Sequence, residues 1–271
     1  MYYRHVQSET RRIGDVAVRV KGDGPSLVLL HANGGSHHDF DSVVDTMARQ
    51  AKVFAIDWPG HGDSGPSHEP GACAFADILP VLLDEIHEGP YTLIGNSVGG
   101  FAALRTAARR PDLVRNVVVI NPGGFTPRWP STLLACRLFG SERVAPVALR
   151  LLPRLYLRRR TAAVQSIRNA SVEASRDVNK ARVFAKIWRS FTDREHDSRA
   201  DASAIEVPIL VIWGTRDPIL PWLVDGRRAK RAMRSAQFVK LPCGHQAFAE
   251  LPEQFMDSLK EFLGWKEVVS T

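Results

Sequence analysis

The stretch Gly95-Asn96-Ser97-Val98-Gly99-Gly100 constrains this chain more than any other part of its 271 residues. It separates the apolar run Tyr91-Thr92-Leu93-Ile94 from a helix-forming stretch at 101–108, so a strand, a very tight turn and a helix follow one another directly. A serine held on such a turn has its hydroxyl pushed clear of the backbone. Glycines are needed two places to either side because side chains there would collide. The same pattern also occurs in ordinary glycine-rich turns, so its chemical meaning depends on whether the chain supplies a base, an acid and donors for a negatively charged oxygen.

Around this turn, apolar runs alternate with helical patterns. Residues 13–20 alternate apolar and polar like a half-exposed strand. Residues 26–30, 52–56, 91–94, 114–120 and 207–213 are continuous apolar runs, as expected of strands covered on both faces, and 237–241 adds a further strand. Helices are predicted over 39–49, 73–87, after Ser97 to Pro111, over 223–233 and over 252–263. Strands alternating with helices imply an α/β fold with a mostly parallel sheet flanked by helices. With 44% hydrophobic residues the chain can bury a large core, and one core domain with an insertion is expected. The insertion is placed at 125–200, where strand patterns cease and Phe184, Ile187, Trp188 and Phe191 recur at helical spacing. Residues 1–124 and 201–271 then form the two parts of the core.

The net charge of +7 belongs to that insertion, since 125–200 holds 16 Lys and Arg against 6 Asp and Glu and the remainder is slightly acidic. Aromatic residues are not interleaved with the basic ones as stacking platforms for nucleic acid would be, so no nucleic-acid partner is expected. Cys73, Cys136 and Cys243 are too few and too widely spaced for a disulfide framework or a metal cluster. The pair His37-His38 lacks a third ligand, and no metal or organic cofactor is expected. The first residues lack the apolar core of a leader, and no run approaches a membrane span. A cytoplasmic protein with reduced thiols is the expectation.

In a parallel sheet the chemistry gathers at the carboxyl ends of the strands. Asn33, Ser97, Asp217 and His245 each fall just after a predicted strand, which brings them to one edge in the chain order serine, aspartate, histidine. A serine hydroxyl is too weakly acidic to attack a carbonyl unaided, so His245 is the candidate base and Asp217 the group that orients it. The N–H groups of Asn33 and Val98 are the candidate oxyanion donors.

At these positions, and over nearly its whole length, the chain resembles the α/β-hydrolase superfamily. The likeness includes Asp57-x-x-Gly60-x-Gly62-x-Ser64 and the His31-led loop, although Ala32 stands where that superfamily usually has glycine. The resemblance implies a helical cap inserted in the core and a serine hydrolase working through an acyl-enzyme, with a small carboxylic ester as the expected substrate. The segments Gly95–Gly100, Asn121-Pro122-Gly123-Gly124-Phe125 and Cys243-Gly244-His245 also look like those of meta-cleavage-product hydrolases, which cut C–C bonds in acidic diketo acids. That alternative makes the cap arginines Arg168 and Arg176 candidates for the substrate carboxylate, although Gln246 stands where that family usually has tryptophan; Trp188 and Gln246 complete the candidate substrate contacts. A slow-turnover ligand sensor of the same fold is the third reading. Finally, Arg150, Arg154 and Arg158 lie on one face of a helical stretch, with Leu151, Leu152, Leu155 and Tyr156 expected mostly on the other. An ordinary packed helix explains this, and contact of a basic cap with an anionic membrane surface is the competing expectation.

Overall fold

The computed structural model describes residues 8–265. The leader expectation rests partly on residues 1–7, which lie outside them. In chain order the elements are β1 (Glu9–Ile13), β2 (Val16–Lys21), β3 (Ser26–Leu30), α1 (Val44–Ala48), β4 (Lys52–Ile56), α2 (Ala72–Ile86), β5 (Tyr91–Asn96), α3 (Val98–Arg109) and β6 (Val114–Ile120). The helices α4 (Pro130–Phe139), α5 (Ala145–Tyr156), α6 (Ala162–Ala174), α7 (Val178–Ser190) and α8 (Arg199–Ala204) follow. The sheet resumes with β7 (Ile209–Gly214), α9 (Arg227–Ala232), β8 (Gln237–Leu241), α10 (Ala247–Glu250) and α11 (Pro252–Leu263).

The eight strands form one sheet in the order β1-β2-β4-β3-β5-β6-β7-β8. The pairs β1–β2 and β2–β4 are antiparallel and the others parallel. Side chains of successive strand residues point to opposite faces, which explains why the central strands read as unbroken apolar runs. Val28, Leu30, Phe54, Ile56, Val117 and Val119 pack with α2 and α3 on one face. Leu27, Leu29, Val53, Ala55, Val118 and Ile120 pack with α10 and α11 on the other. A third cluster joins α5 to α7 through Leu149, Leu152, Ala181, Phe184 and Ala185. Among the described residues no helix is long and apolar enough to cross a membrane.

Three local expectations give way. The strand expected over 13–20 is β2 from Val16 onward, while Ile13 ends a further strand, β1, because Gly14 takes a left-handed φ of 54° and turns the chain between the two. The helix expected over 39–49 is split into a single 3-10 turn at His37–Phe40, capped by Ser36, and the short α1. The helix expected over 223–233 opens with a wide π-turn at Trp222–Gly226 before α9 begins.

The loop after β4 is fastened by Asp57. Its buried carboxylate accepts the backbone N–H and ring Nδ1–H of His37 at 2.7 and 2.9 Å and the N–H of Asp63 at 2.9 Å. Burial alone would push this carboxyl up, but the His37 hydrogen bond and charge outweigh it and hold the group down at about 2. His37, Asp57 and Asp63 are also the described residues whose ligand atoms approach closely enough to surround a cation, yet three N–H donors already occupy the Asp57 oxygens. A carboxyl held below its unfolded value stabilises the fold fully above about pH 4 and loses that contribution as pH falls through about 2. Asp57→Asn should therefore cost roughly 2 kcal/mol or more at neutral pH in urea unfolding. The gap between variant and parent should close as the pH is lowered from 4 toward 2, and equal stability at pH 7 would remove Asp57 from this role.

Candidate active site

The turn between β5 and α3 is built by close backbone approach. A Cβ on Gly95 would lie 2.4 Å from the Gly99 carbonyl oxygen, and one on Gly99 would lie 2.3 Å from that of Leu30, so neither position accepts a side chain. Ser97 between them adopts φ 55° and ψ −114°, a conformation costing a non-glycine residue about 1–3 kcal/mol. Neighbouring strands and loops hold it there. Its N–H donates to the Ile120 carbonyl at 3.1 Å, and its carbonyl accepts the N–H groups of Phe101 and Gly123 at 3.0 and 2.9 Å.

The parallel strands deliver the other groups to the same edge. His245 follows β8, and its Nδ1 lies 2.6 Å from Asp217 Oδ2 on the loop after β7. A carboxylate can only accept, so Nδ1 carries the proton and the lone pair of Nε2 is left free. Asp217 Oδ2 also accepts Asn121 Nδ2–H at 2.8 Å, and Oδ1 accepts the Ile219 N–H at 2.8 Å. Ser97 and His245 line one cavity of about 260 Å³. Among the described residues no hydrogen bond joins the Ser97 hydroxyl to the imidazole, a contact that commonly tightens only with substrate present. Asn33 and Val98 line the same cavity, and among the described residues neither backbone N–H is tied to a protein acceptor. The Val98 N–H opens α3, where the helix end favours negative charge.

Several supporting residues escaped the sequence. Asn96 donates through Nδ2 to the carbonyls of Ile120 and His245 at 2.9 and 3.0 Å, while the His245 N–H donates to the Tyr156 carbonyl at 3.0 Å. The histidine loop is thereby tied to the serine turn on one side and to the end of α5 on the other. Two buried neutral histidines secure the Asn33 loop. His31 Nε2 accepts the Trp58 N–H at 3.1 Å, and burial lowers its proton affinity. His61 Nε2 accepts the Gly34 N–H at 3.2 Å, and burial pushes that ring down to about 3. Asn121, whose amide cannot itself serve as the acid, takes φ 41° and bridges β7 to the aspartate, its Oδ1 accepting the Gly214 N–H at 2.8 Å. His196 also lines the cavity. Its buried Nε2 has no partner, and burial pushes the ring down to about 3.

The candidate substrate contacts divide. Trp188 lines the cavity, beside Phe139 and Phe184. Arg168, Arg176 and Gln246 do not, and this corrects the expectation. The inward face of α6 is set by Val164, Ile167 and Ser171, so Arg168 turns aside, donates to the Leu157 carbonyl at 2.7 Å and lines an outer depression. Arg176 sits exposed beyond the end of α6. Gln246 is buried behind the histidine, where its Nε2 donates to Asp39 at 3.3 Å, a carboxyl that burial pushes up to about 7. Among the described residues the one arginine lining the cavity is Arg128, whose Nη1 donates to the Thr192 carbonyl at 2.6 Å. Trp58 is buried against Phe75, Trp222 packs on Trp213 and Trp129 is half exposed, so none of these three tryptophans lines the cavity. Cys243 packs fully buried, with burial pushing its thiol up to about 12.

Asn121→Ala should separate positioning from binding. It removes one donor to Asp217 and strands the Gly214 N–H, so turnover of a p-nitrophenyl ester should show kcat lowered by roughly tenfold with KM within about twofold. A change confined to KM would mean that Asn121 acts on the substrate instead.

Comparison with known proteins identifies the fold. The family model for the alpha/beta hydrolase fold matches residues 25–252. A pimeloyl-[acyl-carrier protein] methyl ester esterase of Nitrosomonas europaea is 26% identical over 269 residues, covering 90% of this chain and 98% of that protein. A pyrrolizixenacetamide deacetylase of Xenorhabdus hominickii is 29% identical over 267 residues, covering 93% of this chain and 96% of that protein. Among solved structures, a thermophilic esterase of Thermogutta terrifontis with malate bound aligns with a TM-score of 0.79 at 21% identity, over 95% of this chain and 98% of that one. With its sheet order, its helical flanks and a family match across most of its length, the chain belongs to the alpha/beta hydrolase fold family and is a hydrolase of that fold.

Proposed function

We propose that the protein hydrolyses carboxylic esters with an apolar acyl group through a Ser97–His245–Asp217 triad. The observation that carries this reading is the hydrogen-bonded Asp217–His245 couple, whose free Nε2 belongs to a ring lining the same cavity as the Ser97 hydroxyl. In the first half-reaction His245 Nε2 takes the hydroxyl proton as Ser97 Oγ bonds to the ester carbonyl carbon. The resulting oxyanion accepts the N–H groups of Asn33 and Val98. His245 then returns the proton to the departing alkoxide, leaving an alcohol and an acyl-serine. In the second, water attacks the acyl-serine, His245 takes its proton and passes it to Ser97 Oγ, and a carboxylic acid leaves. Asp217 stays ionised throughout and stabilises the imidazolium in both halves.

The cavity lining supports an apolar acyl group. Leu133, Phe139, Leu149, Leu152, Phe184 and Trp188 face it from α4, α5 and α7, which under this reading form a cap over the serine. Among the described residues no buried cation lines it, the lining Arg128 being exposed, which weighs against C–C bond cleavage. The esterase and deacetylase names of two full-length relatives also fit acyl transfer to water.

A panel of p-nitrophenyl esters and a vinylogous diketo acid tests the assignment. Ester turnover should exceed diketo-acid turnover, and Ser97→Ala should lower kcat by roughly 10⁴-fold or more. Arg168→Ala should leave both unchanged. Faster cleavage of the diketo acid, or an alanine variant as active as its parent, would contradict the proposal, and stoichiometric acylation of Ser97 without turnover would identify a sensor.

A further inference from the structure

The outward faces of α4 and α5 carry a concentration of apolar side chains that the core does not use. Leu134 and Leu138 on α4 and Val147, Leu151 and Leu155 on α5 stand between 48% and 67% exposed. Single exposed leucines are unremarkable on a protein surface, but a row of three apolar side chains along one helix marks an interaction face. On α5 they recur every fourth residue, while Ala148, Leu149 and Leu152 turn inward. The sequence pattern had grouped Leu151 and Leu155 with Leu152 on the packed side.

A second, separate observation lies alongside. An outer depression between the end of α5, α6 and the loop after β7 is lined by Arg154, Arg158, Arg160, Arg168 and Arg216, with no carboxylate among its lining residues. None of these guanidinium groups takes part in an ion pair among the described residues, and Arg168 Nε is buried without a partner. Gathering five unpaired positive charges is unfavourable unless an anion balances them. Arg150 and Arg154 run down α5 directly beside the Val147, Leu151 and Leu155 ridge.

We propose that this face docks on the surface of an anionic phospholipid bilayer. The apolar ridge enters the boundary between headgroups and acyl chains, and the arginine depression receives headgroup phosphates. An apolar ridge flanked by arginines on a helix too short to span is the pattern of an interfacial helix. A soluble phosphate would satisfy the arginines and leave the leucines in water. The inner faces of the same two helices, through Leu133 and Leu152, wall the cavity over Ser97.

Sedimentation of the full chain with vesicles tests this without reference to hydrolysis. Vesicles of phosphatidylcholine containing about a third phosphatidylglycerol should bind at least ~10-fold more protein than pure phosphatidylcholine, and added salt should weaken the binding. Arg154→Glu/Arg158→Glu should lower partitioning by roughly tenfold or more, and Leu151→Ser/Leu155→Ser should do so by roughly tenfold at unchanged net charge. All four side chains are exposed, so thermal unfolding and turnover of a water-soluble ester should match the parent and report a folded protein. Absence of binding to the anionic vesicles, equal binding to both kinds, or parental binding by the leucine variant would overturn the proposal. So would capture of inorganic phosphate or of a soluble acidic protein through these arginines with no vesicle binding.

Discussion

The structure depends on one strained residue held in place by its surroundings. Ser97 stands in a left-handed conformation because β5 must end and α3 begin within a single step, and two backbone approaches too close for any Cβ leave it no alternative. The strain persists because the Ile120 carbonyl and the Gly123 N–H, both from the neighbouring strand and its loop, grip the peptide groups on either side of the side chain. A local turn preference would not maintain this geometry, whereas a sheet paired on both edges of β5 does. The same pairing directs the ends of β3, β6, β7 and β8 to one edge. Placing the hydroxyl and gathering its partners are thus consequences of a single topology.

Around that turn the polar groups form a connected set. Asp217 receives donors from His245, Asn121 and Ile219, and Asn96 holds the carbonyl of His245 from below. The N–H of the same histidine reaches the last residue of α5, so the helical segment is coupled to His245 through the main chain. On the opposite side of the serine, His31 and His61 accept backbone N–H groups and are kept neutral by burial. Protonating either would remove an acceptor that fixes the Asn33 loop.

The central strands were legible because burial on both faces demands continuous apolar sequence, as in Leu27–Leu30 and Val117–Ile120. Asn33, Ser97 and Asp217 at the edge were legible for a related reason, since each closely follows such a run, whereas His245 follows the half-exposed edge strand β8. What escaped depends on relations between distant segments. Nothing local to Asn121 tells that its amide bridges Gly214 and Asp217, and nothing local to His61 tells that its ring meets Gly34. The helical segment was least legible. Arg168 and Arg176 were plausible substrate ligands by charge alone, but which face of α6 turns inward is decided by its packing on α5 and α10, a few tens of degrees of rotation that composition does not encode. Leu151 and Leu152 show the same effect, as adjacent leucines of one helix, the first exposed and the second buried.

The cavity side and the outer side of the helical segment therefore carry different chemistry, apolar within and apolar-with-arginine without. The meaning of the inner side depends on Ser97 Oγ being the reacting atom beneath those helices. The most direct measurement is an experimental structure of the protein after reaction with an alkyl phosphonate ester. The account predicts phosphorus bonded to Ser97 Oγ, the phosphonyl oxygen within hydrogen-bond distance of the Asn33 and Val98 N–H groups, and the alkyl chain along Leu149 and Phe184. An adduct on any other residue, or a phosphonyl oxygen pointing away from both N–H groups, would contradict it.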